Sequence, residues 1–213
     1  METQLVAEQF ETLEQQHSAD LLGMWVFLVT EIMFFGVLFA AYAVYRYLYP
    51  EAFEVGGHHL NTLMGGMNTG VLLTSSFTMA IAVHAAKTGK RRFLTFLLVA
   101  TVLMGCAFLV IKGFEWRTDY LEGLVPGKSY TFNGAHASQV ELFFTLYFIM
   151  TGLHGLHVII GIVLLGLLAY WAWRGKLNQF NFMIVEISGL YWHFVDLVWI
   201  FLFPLFYLIG NKT

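Results

Sequence analysis

A single cysteine in 213 residues excludes an internal disulfide and any thiolate metal cluster, because Cys106 has no second cysteine to meet. Cys106 falls in an apolar run, where it is expected to pack as a small buried residue. Charge is also scarce. Asp, Glu, Lys and Arg make up 12% of the chain, against roughly a quarter in a soluble domain. The first 20 residues hold five acids and no Lys or Arg, so the basic start of a cleavable secretory signal is missing and this segment is expected to be retained. The net charge is −3 and the densest group of cations, four of the eleven, sits in one loop, which excludes the basic footprint of a nucleic-acid binder. No internal repeat is visible.

What the chain has instead is apolar length, with 58% of its residues hydrophobic. A helix needs about 20 mostly apolar residues to cross the hydrocarbon. Five runs qualify, near 21–47, 67–86, 93–113, 138–173 and 185–209. The expected fold is therefore all-α: a polytopic membrane protein built as a bundle of five transmembrane helices, with a tail at 1–20 and a single membrane domain at 21–213. Short cytoplasmic loops collect Lys and Arg. Lys87, Lys90, Arg91 and Arg92 share one connection, and Arg174 and Lys176 lie in the other same-side loop, which puts the N-terminus and its tail inside and the C-terminus outside. The connection at 115–139 is long enough to do more than connect, and its Pro126-Gly127 pair reads as a turn. The segments "AVYRYLYP" and "AYWAW" fit aromatic belts at helix ends.

An ionisable side chain inside a span costs about 2.5 kcal/mol or more, so each needs a partner or a watery cavity. Glu31 lies about ten residues, or ~15 Å, into the first span, close to the midplane. His154 and His157 fall near the middle of the fourth span, about 60° apart around the helix, while Glu141 lies almost opposite them near the helix end. On the fifth span Glu186, His193 and Asp196 share one face, which must point into protein. Four readings compete. The i, i+3 histidines with a carboxylate could hold a metal ion. Glu31, His193 and Asp196 could carry protons. The same groups could anchor a lipid head group or a partner. Lastly, they could be glue between helices, with Gly152, Gly155 and Gly161 letting backbones approach.

Four motifs add a resemblance that covers nearly the whole chain. "TGLHGLHVIIG" (151–161) followed by "YWHFVDLVWIFLF" (191–203), with "TEIMFFGVLFAAY" (30–42) and "MNTGVLLTSS" (67–76) upstream, resembles subunit III of the haem–copper respiratory oxidases. The resemblance implies a non-catalytic subunit of a proton-pumping terminal oxidase in a bacterial inner membrane. Such a chain has no redox cofactor, packs beside catalytic subunit I with subunit II and others in the complex, and holds structural phospholipids in a cleft. Haem and copper are then expected in the partner. Only four of the eight histidines, His84, His154, His157 and His193, fall in spans, whereas a core with two haems and a copper takes about six imidazoles. Some family members have seven helices; this chain looks like the five-helix form. Glu31 matches the family's buried glutamate and His157 the second histidine of its HGLH motif, so the two are expected to hydrogen-bond, with His154 satisfied nearby. His193 and Asp196 match the WHFVD motif, and Glu115 in "KGFEW" an acidic position after the preceding helix. The "TEIMFF" and "MNTGVLLTSS" runs look more like cytochrome c oxidases than quinol oxidases or nitric-oxide reductase accessory proteins. From another class, a small proton-coupled transporter would use the same buried acids, although paired broken helices and an inverted repeat are missing.

Overall fold

The computed structural model describes residues 10–134, 136–177 and 182–208. Among them are six helices and no strand: α1 Leu13–Leu48, α2 Pro50–His58, α3 Thr62–Lys87, α4 Arg91–Leu121, α5 Ala137–Arg174 and α6 Phe182–Tyr207. All but α2 are long and apolar enough to cross a membrane. In hydrocarbon a backbone must satisfy its own hydrogen bonds, so these apolar runs have no alternative to the helix.

The five spans coincide with the predicted ones, yet two helices run on beyond them. α1 opens at Leu13, eight residues before its apolar run, because the Thr12 side chain accepts from the Gln15 amide at 3.1 Å and caps it. Part of the expected inner tail is thus helix, and residues 1–9 of it lie outside the described residues. α4 continues to Leu121 and carries Lys112, Glu115 and Asp119 inside it, so the long connection shrinks to 122–136. Gly127 turns there with a φ of +96°, as its Pro-Gly pair predicts, and its amide donates to Glu141 at 2.9 Å. α2 was not expected. It starts at Pro50, whose fixed φ suits a first helical turn, and its nine residues are too few to give a span signal.

α3, α4, α5 and α6 pack as a four-helix core, with α6 the most enclosed span and α1 the least. α1 lies outside, mainly against α6, and touches α5 at few points. α2 folds over the end of the core, where Phe53 meets Tyr42, and Phe143 edge-on, at ring distances of 5.2 and 5.3 Å. Helix ends, whose last carbonyls have no partner of their own, are closed by neighbours. The Tyr42 hydroxyl donates to the Leu205 carbonyl of α6 at 2.5 Å and Thr62 to that of Tyr207 at 3.3 Å. At the opposite end Arg91 donates to the carbonyls of Ala172 and Trp173 on α5. The guanidinium fits because Gly175, at φ +77°, has no side chain in its way.

Tyr47, Tyr170 and Trp173 are exposed at helix ends, as expected of interfacial belts. Cys106 departs from expectation: it lies exposed on the outer face of α4 instead of packing inside. Of the three glycines expected at close approaches, Gly161 fits and Gly155 has open space around it. Gly161 and Gly105 flank the Trp192 indole, which a Cβ would approach to 2.7 and 2.8 Å. Gly161→Leu should therefore overpack the α4–α5–α6 junction and cost about 1–3 kcal/mol, read as lower resistance to unfolding in detergent. Gly155→Ala should behave like the parent.

Candidate functional site

The opening between α1 and α5 holds the first polar pair. His157 Nδ1 lies 2.7 Å from the Leu153 carbonyl one turn earlier on α5. A carbonyl only accepts, so Nδ1 carries its hydrogen. Nε2 then meets Glu31 Oε2 at 3.0 Å, and that bond is closed by one proton shared between carboxyl and imidazole. Phe35 packs edge-on against the imidazole at 5.3 Å, and the Tyr191 hydroxyl donates to the His157 carbonyl at 3.2 Å. The expected Glu31–His157 bond is thus present in the fold. Beside it runs a groove of about 450 Å³, walled by Met24, Phe27, Ile160, Leu164 and Ile187, with Ser188 and Tyr191 among its lining.

On α6 the three predicted polar residues do share a face, and it meets α3. Glu186 pairs with Lys87 at 2.8 Å, half exposed near the helix end. His193 Nδ1 lies 2.6 Å from Ser76 Oγ. Asp196 is buried one turn deeper. Ser76 stands close to it without closing a bond of normal geometry, and neither carboxyl oxygen has a hydrogen-bond partner among the described residues.

The densest cluster centres on a residue that sequence reasoning missed. Lys112 lies at the end of the third predicted run; the helix continues and buries it. Its ammonium donates to Glu115 Oε2 at 2.9 Å, to the Tyr147 hydroxyl at 2.8 Å and to the Tyr207 hydroxyl at 2.5 Å, which uses all three donors. Tyr207 passes a hydrogen bond to Glu115 Oε1 at 2.7 Å, and Tyr147 one to Asp119 Oδ2 at 3.3 Å. One cation therefore ties α4, α5 and α6 together. The available signal was the i, i+3 spacing of Lys112 and Glu115 in "KGFE", which puts opposite charges on one helix face.

Trp199 links this cluster to the second predicted histidine. The Lys112 ammonium lies 5.4 Å from the Trp199 ring, His154 stacks on that ring at 5.3 Å, Phe108 meets it edge-on at 4.8 Å, and its Nε1 donates to Thr69 at 3.0 Å. His154 was expected to be satisfied near the Glu31–His157 pair. Instead it points into the core, and neither ring nitrogen finds a hydrogen-bond partner among the described residues. The two histidines of the motif thus serve different surroundings, His157 the α1 side and His154 the interior.

Comparison with known proteins assigns this arrangement. Residues 11–211 match the family described as cytochrome c oxidase subunit III. The chain belongs to that family. "Probable quinol oxidase subunit 3" of Staphylococcus haemolyticus is 33% identical over 190 residues, covering 89% of this chain and 88% of the relative. Its counterpart in Staphylococcus epidermidis is 34% identical over 197 residues, with the same two shares. Quinol oxidase subunit 3 of Bacillus spizizenii is 36% identical over 198, covering 90% and 87%. The chain is a subunit III of a haem–copper oxidase, an integral bacterial membrane protein that associates with other oxidase subunits. Cytochrome c, the donor favoured by the motifs, is not the one these relatives' names carry.

Lys112→Met should leave Glu115 and Asp119 buried without their cation, at a cost of about 3–5 kcal/mol. Thermal unfolding of the assembled complex reads this as an early transition. Adding Glu115→Gln removes one of the stranded charges and should restore part of the loss.

Proposed function

We propose that this chain is the non-catalytic subunit III of a proton-pumping quinol oxidase. The observation that carries the reading is the family match over residues 11–211 together with relatives called quinol oxidase subunit 3 that align over nearly nine-tenths of both chains. The geometry supports a buttressing role. Lys112 is engaged by Glu115 and by one tyrosine each from α5 and α6, so this buried cation serves contacts between helices. Haem and copper belong to the partner catalytic subunit I in this reading, with subunit II beside it. The end bearing Lys87, Lys90, Arg91 and Arg92 faces the cytoplasm, which puts the N-terminus inside and the C-terminus outside.

Structural phospholipid fits at the other end of α1. There Arg46 borders a hollow of about 520 Å³ with Tyr42, Tyr47, Pro50 and Leu205. A guanidinium and tyrosines at a helix end lie at interfacial depth, where a lipid phosphate can meet them.

The alternative donor, cytochrome c, rests on the "TEIMFF" and "MNTGVLLTSS" runs. The test is to purify the complex through a tag on this chain and follow oxygen consumption. Haem should co-purify, and turnover should be supported by a reduced quinol analogue. Turnover with reduced cytochrome c but not with quinol would overturn the reading.

A further inference from the structure

The groove beside Glu31 and His157 is poorly explained as a contact between helices. α1 touches α5 at few points, and the Glu31 and His157 side chains remain 20% and 13% exposed at the groove wall. A pair that served only to glue two helices would be closed over by them. Glu31 uses Oε2 on His157, and its Oε1 has no hydrogen-bond partner among the described residues. Ser188, on the α6 side of the same groove, lines it with a hydroxyl. Phe27 and Tyr191 add two aromatic walls whose rings lie 6.2 Å apart and tilted by 34°. The remainder of the lining is aliphatic, and a volume of about 450 Å³ is that of a small-molecule site.

Depth decides which amphiphile suits it. Glu31 stands eighteen residues after the start of α1 and seventeen before its end. His157 stands twenty after the start of α5 and seventeen before its end. Both are at the middle of helices that overshoot the hydrocarbon at each side, so the pair lies near the bilayer midplane, about 15 Å from either interface. A phospholipid phosphate stays at the interface and cannot reach it. An acyl chain reaches it but gains nothing from Glu31, Ser188 or the shared proton. An uncharged, flat conjugated ring that lives within the hydrocarbon and carries hydrogen-bonding oxygens satisfies every part of the groove. The groove then continues from the pair along Ile160 and Leu164 of α5 and Phe27 and Met24 of α1, apolar throughout, as an isoprenoid tail requires.

We propose that this groove is a binding site for an isoprenoid quinone or quinol, with the ring at Glu31 and His157 and the tail along α1 and α5. The inference rests on the quinol reading above and adds a site on this chain to it. The site binds and holds; electron transfer is left to the partner that carries the metal centres.

The test uses the whole oxidase in lipid nanodiscs and a quinone bearing a photoreactive azide on its ring. After illumination, label is mapped by peptide mass spectrometry. Label is expected on the segments 24–31 and 157–164, and an unreactive quinone should compete it away. Glu31→Leu should label about tenfold less, the loss of one hydrogen bond, while Glu31→Gln, which keeps a hydrogen-bonding head, retains most of it. Ile160→Trp, which fills the groove and leaves the polar pair intact, should also abolish label at unchanged haem content. Competition by phosphatidylglycerol as effective as that by quinone would overturn the site and make it an acyl-chain groove. Quinol turnover with no label on these segments overturns the site alone. Turnover with reduced cytochrome c only overturns the functional reading, and with it the proposed ligand.

Discussion

Hydrocarbon offers no hydrogen bonds, and the bundle is arranged around that constraint. Its most demanding instance is Lys112, an ammonium that the core of α3 to α6 has taken in. Three donors meet three acceptors on three helices, and two of those acceptors pass the interaction on to Glu115 and Asp119. The network also sets rotations. Tyr147, Tyr207 and Glu115 can reach one ammonium together only if α4, α5 and α6 present particular faces, and those faces bring Trp199 against Phe108 and His154. A cluster of this kind gains specificity of arrangement more readily than net stability, since desolvating its charges offsets much of their attraction.

The same constraint closes the helix ends. Carbonyls at the end of α6 receive hydroxyls from Tyr42 and Thr62, and those at the end of α5 receive the Arg91 guanidinium. Each neighbour that lends a donor is held by it, so capping and tertiary packing are one event in this protein. α2 belongs to this pattern: it lays Phe53 over Tyr42 and Phe143, covering the end where α1, α5 and α6 meet.

α1 stands apart from that economy. It carries a carboxyl at mid-helix yet packs mainly on α6, which leaves the Glu31–His157 pair at the edge of a groove. In the proposed reading, the subunit shapes what its catalytic partner meets in the membrane by holding amphiphiles at two depths. The interfacial hollow at Arg46 suits a phosphate, and the midplane groove suits a neutral ring. Trp199 and His154, by contrast, belong to the interior that keeps the bundle in register.

Much was legible from the chain alone. Five apolar runs could only be spans, because length and hydropathy decide membrane insertion residue by residue. The likeness of Glu31 and the HGLH motif to the family's buried glutamate and histidine implied the Glu31–His157 bond, and a period of 3.6 put Glu186, His193 and Asp196 on one face. Tertiary structure decided the rest. Whether Lys112 is interfacial or buried depends on how far α4 continues, and that depends on partners from α5 and α6 that no local pattern contains. His154 and His157 look alike in sequence but face a closed core and an open groove, because the two sides of α5 meet helices that pack to different degrees. Cys106 faces outward for the same reason: a span apolar all round gives no local sign of which side its neighbours will cover.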